Sequence, residues 1–396
     1  MVEPSQTPNP TRWSRGIAVG LLTLGAAGLA GCSGGSDEAA PSPTTPATTT
    51  TPATTSSTQP TASSSASTGE IDLSKPQVIA TGIDVPWGLT FLPNGDALVA
   101  ERNSAQILQV PAKGGKPKVV YKVPGVKPSG EGGEGGLLGL AVSPDYATDK
   151  TVYAYYTAAD DNRIARFQLD GGSPEVIFDG LAKNTFHNGG RIAFGPDGLL
   201  YVGTGDAGNT ANAQNLRSNN GKILRLTPEG DPAPGNPENG SPVYSFGHRN
   251  VQGLAWDAQG RLFASEFGQN KLDEVNLIEP GHDYGWPNVE GKGDTDGGKY
   301  TNPLVTWSTD DASPSGIAIA GNTIYVAALK GQRIWTIPLN NGRTGKPKAY
   351  FEGKYGRLRT VAVAPDGSLW LTTSNTDGRG DVRSGDDRIL RFTSAA

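Results

Sequence analysis

Two short blocks carry residue types able to do chemistry, Phe186-His187-Asn188-Gly189-Gly190-Arg191-Ile192 and Gly247-His248-Arg249-Asn250-Val251-Gln252-Gly253. The chain has three His, and two of them stand in these polar, Gly-flanked stretches, where a side chain can reach a ligand. Taking a hydride from an alcohol or hemiacetal needs a base for the hydroxyl proton, and imidazole, with an ordinary pKa of about 6.5, is the usual one. His187 is the candidate base. The hydride acceptor gains negative charge on its oxygens, and a fixed guanidinium stabilises that charge more in the transition state than in the ground state. Arg249 fits this role. Asp206, in Gly203-Thr204-Gly205-Asp206, can orient the imidazole and raise its basicity, or it can simply form a turn. His248 points away from Arg249 on an extended segment and reads as structural, while His282 reads as an exposed loop residue.

These groups lie far apart in sequence, so an architecture must bring them together. A pattern of small residue, short apolar run, tight turn and second apolar run recurs six times, beginning at Gly88, Gly139, Arg191, Gly253, Gly316 and Val361. Turns such as Pro93-Asn94-Gly95, Pro196-Asp197-Gly198 and Pro365-Asp366-Gly367 preset a hairpin between the flanking β-rich runs. A third strand follows several units, as in Lys222-Ile223-Leu224-Arg225-Leu226. The spacing of about 54 residues per unit suits four-stranded blades. The fold predicted is all-β, a six-bladed β-propeller with four-stranded blades; a β-sandwich would not explain six copies of one turn. Loops at one end of a propeller converge on the central channel, which is the required geometry.

Composition agrees, with 55 Gly and 30 Pro in 396 residues, as a turn-rich all-β chain requires. The net charge of −5 argues against nucleic acid as a partner. Residues 1–31 read as a lipoprotein signal peptide: Arg12 and Arg15 precede an apolar run that closes on Leu29-Ala30-Gly31-Cys32, and the run is short for a transmembrane helix. Cys32 is the single Cys, so its expected use is lipid attachment. Residues 32–69 are rich in Ser, Thr and Pro and read as a disordered tether. The propeller domain is then 70–396, held by lipid on the outer face of the cell membrane after export.

The motifs Gly132-Gly133-Glu134-Gly135-Gly136-Leu137-Leu138-Gly139, the His187 block, Gly247-His248-Arg249-Asn250, Asp273-Glu274-Val275-Asn276, Asp283-Tyr284-Gly285-Trp286-Pro287, Ala328-Leu329-Lys330 and Arg357-Leu358-Arg359 together resemble the soluble glucose and aldose sugar dehydrogenases. These are quinoproteins that use pyrroloquinoline quinone (PQQ) and calcium. The resemblance implies that His187 is the general base and that Arg249 and Asn250 contact the quinone. It also implies that Lys330, Arg357 and Arg359 bind the quinone's carboxylates, with Glu134, Ala328, Leu329 and Leu358 in the same cofactor-binding motifs. Arg357 and Arg359, two apart, point the same way on an extended segment and with Lys330 offer three cations to a tricarboxylate. For calcium it implies one ion on the carbonyls of Gly268 and Gln269 and another at the Glu274 carboxylate and the Tyr284 carbonyl. Glu134 stands where the family pattern usually has Gln, and an extra carboxylate there would weaken binding of an anionic cofactor unless it is protonated or paired with Arg or Lys. Phe186 replaces an Asp found before the base in some glucose-oxidising members.

The function expected is oxidation of the C1 hydroxyl of aldose sugars to lactones, by a monomer that passes electrons to an unidentified acceptor. Two other readings compete: a calcium-dependent lactonase, which needs several channel carboxylates around an ion, and a non-catalytic sugar-binding surface lipoprotein. The lipid expectation has a direct check. Mass spectrometry of the mature protein should find a diacylglycerol adduct on Cys32, and Cys32→Ala should leave an unprocessed or unanchored precursor; a wild-type protein without lipid at that residue would refute it.

Overall fold

Strands of this chain are apolar on both faces near the middle of each sheet and polar at its edge. Ala97–Glu101, Leu262–Glu266 and Leu369–Thr373 are buried at every position, whereas Lys118–Lys122 is exposed or half-exposed throughout. That gradient is the signature of sheets packed face to face on both sides, with only the outermost strand reaching water. A computed structural model describes residues 70–394. The expected signal peptide, tether and Cys32 lipidation site lie outside the described residues.

Six antiparallel sheets form the blades. Blade 1 runs from the inner strand Pro86–Phe91 through Ala97–Glu101 and Gln106–Val110 to Lys118–Lys122. Blades 2, 3 and 4 start from the inner strands Leu137–Val142, Arg191–Phe194 and Val251–Trp256. Blade 5 starts from Pro314–Ala320 and carries a split outer edge, Arg343–Thr344 and Lys348–Tyr350, on the strand Arg333–Asn340. Blade 6 starts from Leu358–Val363, and its outermost strand is Gln77–Thr81 from the start of the domain, paired with Arg388–Phe392 in the register Gln77↔Arg391 to Thr81↔Arg388. Each inner strand contacts the next, and blade 6 returns to blade 1. The six-bladed, four-stranded expectation holds. The outer strands follow no Pro-Asp-Gly turn of the repeat, and the closing strand Gln77–Thr81 pairs with the far end of the domain, so neither stands out in the sequence.

Large side chains fill the wedges between blades. Trp87 of blade 1 shares a core with Leu138 and Tyr155 of blade 2 and Ile192 and Val202 of blade 3, and Trp370 of blade 6 meets Phe91 of blade 1 edge-on at 5.1 Å. Near the channel the inner strands come closer than side chains permit. A Cβ on Gly88 would lie 2.5 Å from the Leu138 carbonyl oxygen and one on Gly316 2.8 Å from Thr360 Cα, so Gly is required at both. The inner strands all run in one direction, and their starting ends, with the loops after each second strand, form one face of the ring.

Candidate cofactor pocket and active site

On that face a cavity of about 310 Å³ is lined by Arg102, Arg357, Arg359, Arg379 and Lys330, with Glu134 and Asp377 as the carboxylates. Five cations against two anions leave an excess of three positive charges among these lining side chains. Asp377 organises the cluster. Its Oδ2 accepts from Arg357 Nε at 2.9 Å and Arg359 Nη2 at 3.3 Å, its Oδ1 accepts from the Arg379 N–H at 2.9 Å, and its carbonyl oxygen accepts from Arg102 Nη2 at 3.3 Å. Burial alone would raise the Asp377 pKa, but the guanidiniums of Arg359 and Arg357 hold it below the usual carboxylate range. Arg357 and Arg359 do share one direction, as their spacing predicts. Leu358 between them is fully buried in the core with Leu369 and Leu371, and Ala328 packs in the core between blades 4 and 5; neither side chain faces the cavity, which Leu329 does line. Lys330 sits at the exposed rim, with Nζ 2.5 Å from Asp310.

Glu134 joins this cavity to His187. Its Oε1 lies 3.3 Å from Arg379 Nη1, so the carboxylate is paired with a cation, and its Oε2 accepts the His187 backbone N–H at 2.8 Å. His187 has a left-handed backbone, φ 59°, a conformation costly for a side chain with a Cβ. The Glu134 bond and the Ala207 N–H on the His187 carbonyl hold it there. His187 Nδ1 meets Asp206 Oδ1 at 2.7 Å. Asp206 is fully buried and also accepts from the Gly208 N–H at 2.8 Å and from Trp286 Nε1 at 2.9 Å, so it orients the ring and forms a turn at once. Against burial, the bonds from His187, Gly208 and Trp286 lower its pKa. An ionised Asp206 accepts a hydrogen bond from Nδ1–H, a tautomer that leaves His187 Nε2 with its lone pair free.

Arg249 borders the cavity through Phe267, whose carbonyl oxygen accepts Arg249 Nη1 at 3.2 Å, and lies 5.5 Å from the centre of the Trp286 ring. Its Nε and the amide nitrogen of Asn250 are buried with no hydrogen-bond partner, although Asn250 Oδ1 accepts from the Gly189 N–H at 2.9 Å. Unsatisfied buried donors beside a cationic cavity call for an acceptor-rich ligand. His248 is buried, bonded to Ser245 and Glu266 at 2.8 Å each and stacked on Tyr284 at 4.7 Å; it is structural, and His282 is the exposed loop residue expected.

In the loop after the second strand of blade 4, four consecutive N–H groups, Gln269 to Leu272, converge on Glu290 Oε1 within 2.7–3.3 Å. The Gly268 N–H donates to Asp273 at 2.9 Å. Burial lifts the Asp273 pKa to about 7. Glu274 and Glu266 are buried carboxylates, both bonded by the Asn276 amide at 3.0 and 3.1 Å. Burial, then the Glu266 charge, raises the Glu274 pKa well above the carboxylate range. The Tyr284 hydroxyl is bonded to the Leu277 carbonyl at 2.6 Å. Among the described residues no group of three or more His, Cys, Asp or Glu is arranged to hold a metal.

Asp377, Arg102, Arg379, Gln252, Trp286 and Glu290 are site residues that residue-type reasoning passed over. For Arg102, Asp377 and Arg379 the signal lies in the repeat, since they follow the second strand of their blade, as Asp206, Phe267 and Lys330 do, and so fall on the same face; Gln252 on an inner strand and Trp286 and Glu290 after a third strand carry no such signal.

Fold and site together describe a propeller dehydrogenase with an anion-binding pocket. The glucose/sorbosone dehydrogenase family profile matches residues 83–390; the chain belongs to that family. The PQQ-bound aldose sugar dehydrogenase of Streptomyces coelicolor is 55% identical, superposes with a TM-score of 0.77, and aligns over 82% of this chain and 98% of its own. Aldose sugar dehydrogenase of Escherichia coli is 26% identical over 76% of this chain and 90% of its own length. Quinoprotein glucose dehydrogenase B of Acinetobacter calcoaceticus is 32% identical over 62% of this chain, which spans 59% of that relative.

The buried ion cluster has a measurable consequence. Asp377→Asn leaves Arg357 and Arg359 without their shared charge, and breaking a buried pair from one side costs about 3–5 kcal/mol. The denaturation midpoint of the ligand-free protein should fall accordingly; an unchanged midpoint would show that Asp377 does not hold the cluster.

Proposed function

We propose that the chain is a quinoprotein oxidoreductase that oxidises the C1 hydroxyl of aldose sugars to lactones with PQQ and calcium. The observation that carries this reading is the His187–Asp206 pair, 2.7 Å apart, joined through Glu134 to a pocket whose lining holds more cations than carboxylates, as a polycarboxylate ligand requires. In this reading Arg357, Arg359, Lys330 and Arg102 hold the carboxylates of the quinone, and the unpartnered Arg249 Nε and Asn250 amide meet its ring oxygens. When bound, the quinone supplies the two-electron acceptor and calcium a Lewis acid. The family similarity favours PQQ, since a relative 55% identical carries it.

The chain's own residues do the rest. His187 Nε2 takes the hydroxyl proton, while Asp206 at Nδ1 fixes the ring and stabilises the imidazolium that forms. Arg249, buried and stacked near Trp286, stabilises negative charge that develops at the acceptor. Phe186, 43% exposed and edge-on to His187 at 4.8 Å, offers an apolar face to a sugar ring. For calcium, the carbonyl oxygens of Gly268 and Gln269 accept no hydrogen bond from the described residues and suit a hard cation. Glu274, buried against Glu266 without a counter-charge, suits a second ion or a proton. The lactonase alternative lacks support: the pocket lining is cationic, and the carboxylate cluster it needs is absent among the described residues. Export and attachment through Cys32 complete the proposal, with the electron acceptor unassigned and the protein acting as a monomer.

His187→Gln removes the basic nitrogen but keeps a polar side chain, so the variant should bind PQQ normally while dye reduction on a panel of aldoses falls roughly a hundredfold or more. A variant that reconstitutes and retains near wild-type rates would remove His187 from the chemistry, and a wild type inactive on every aldose with PQQ and calcium would reject the function.

Calcium has a separate test. A carboxyl with a raised pKa, such as Glu274, favours the folded state below the ordinary carboxylate range and loses that contribution as pH climbs through the raised value. A bound cation would replace the lost proton, so calcium should raise the melting temperature more at pH 8 than at pH 6. An equal or absent shift at both would exclude an ion at Glu274.

A further inference from the structure

At the tightest level of the channel each inner strand contributes one residue. In four blades it is Gly: Gly88, Gly139, Gly253 and Gly316, each with the neighbouring blade's backbone where a Cβ would go. Blade 6 has Thr360, whose hydroxyl donates to the Trp87 carbonyl oxygen at 2.6 Å. Blade 3 alone has a long side chain there, Arg191. Its guanidinium crosses the channel: Nε donates to the Gln252 carbonyl of blade 4 at 2.7 Å, Nη2 to Thr360 Oγ1 of blade 6 at 3.1 Å, and the group lies 4.3 Å from the centre of the Trp87 ring of blade 1.

Arg191 is only 8% exposed, yet among the described residues no carboxylate forms an ion pair with it. Its charged neighbour is another cation, Arg359, which lies 5.9 Å from the same Trp87 ring. Burial and that repulsion lower the Arg191 pKa to about 9, so it stays charged at neutral pH. Above it, Gln252 lines the cofactor pocket, with Oε1 3.5 Å from Arg359 Nη1. Below it opens a second cavity of about 370 Å³, lined by Arg191 and the far halves of the inner strands. Arg191 therefore separates two compartments and carries an uncompensated buried charge beneath the pocket.

We propose that Arg191 is the electrostatic floor of the cofactor pocket: a positioning residue that strengthens binding of an anionic cofactor without touching it. A buried charge acts over longer distances than an exposed one because little water screens it. Without ligand, the charge works against folding, as an unpaired buried cation does. An anion in the pocket above relieves that cost, so part of the ligand's affinity comes from Arg191. The proposal rests on the reading that the pocket takes an anionic quinone, and the experiment separates the two.

The ligand-free protein with Arg191→Met, Arg191→Lys or Arg359→Met is titrated with PQQ in calcium by calorimetry, and its melting temperature is measured without PQQ. Arg359→Met tests the pocket: wild-type affinity in that variant rejects the quinone reading itself. With that reading upheld, Arg191→Met should weaken PQQ binding roughly tenfold, Arg191→Lys should recover most of it, and the Met variant should melt no lower than wild type. Wild-type affinity in Arg191→Met overturns the floor. So does equal weakening in Met and Lys with a lowered melting temperature, which marks a steric brace. Should Arg191→Met not fold, Arg191→Gln replaces it under the same criteria; failure of both to fold also overturns the electrostatic role.

Discussion

The close approach of the six inner strands is the constraint on which the rest depends. Where Gly88, Gly139, Gly253 and Gly316 sit, neighbouring blades meet backbone to backbone, and the channel is narrow enough for one arginine to cross. This narrowness brings Glu134 of the loop before blade 2, His187 before blade 3, Arg249 before blade 4 and Arg357 before blade 6 onto one small area. A wider ring would leave the same loops too far apart to share a ligand. The tight ring also puts backbone polar groups and guanidiniums in a region water scarcely reaches, where charge placement matters most.

Charge is arranged there in an unequal way. Asp206 and Asp377 are fully committed carboxylates, each gripping several donors, and both are held ionised. Asp206 spends its charge on one imidazole, which keeps the far nitrogen available. Asp377 spreads its charge over Arg357 and Arg359 and leaves both with unsatisfied positive potential facing the pocket. Glu134, an oddity beside an anion site, is occupied by Arg379 and by the His187 backbone, so it shapes the base's loop and does not oppose the ligand. Asp273 and Glu274 in blade 4 follow a different logic: burial outweighs the Arg249 charge at Asp273, Glu274 faces the like charge of Glu266, and both have raised pKa values.

Much of this was legible in the sequence, because a repeated turn chemistry and a few unusual polar blocks are local signals. Six repeated strand–turn–strand units, four of them with a Pro-Asp or Pro-Asn turn, marked the blades, and the spacing of Arg357 and Arg359 marked their common direction. The outer strands were not legible: Lys118–Lys122 is half-exposed and follows no apolar alternation. Nor was the closing strand, whose partner lies at the other end of the domain. Within the site, His187, Arg249 and Asp206 stood out by type and setting. Asp377 and Arg379, in a Gly-rich loop, look like ordinary surface residues until the ring folds that loop over the channel. Arg191 opens its unit with a charged residue where four units begin with Gly and one with Val, but only the ring shows what its side chain spans.

The strand Gln77–Thr81 imposes an order of events on the making of the molecule. Blades 1 to 5 are each built from one contiguous stretch and can form as the chain emerges from its N-terminal side. Blade 6 cannot, since its outer strand is made first and its partner Arg388–Phe392 last. The entropy of bringing such distant ends together grows only slowly with length, so closure is affordable at equilibrium, but contacts this distant form late. Until then Gln77–Thr81 is a strand with an open hydrogen-bonding edge, exposed to wrong pairing with other chains. Ring closure thus acts as a check on completeness: only a chain synthesised through Phe392 can pair that strand and assemble the face on which the site stands.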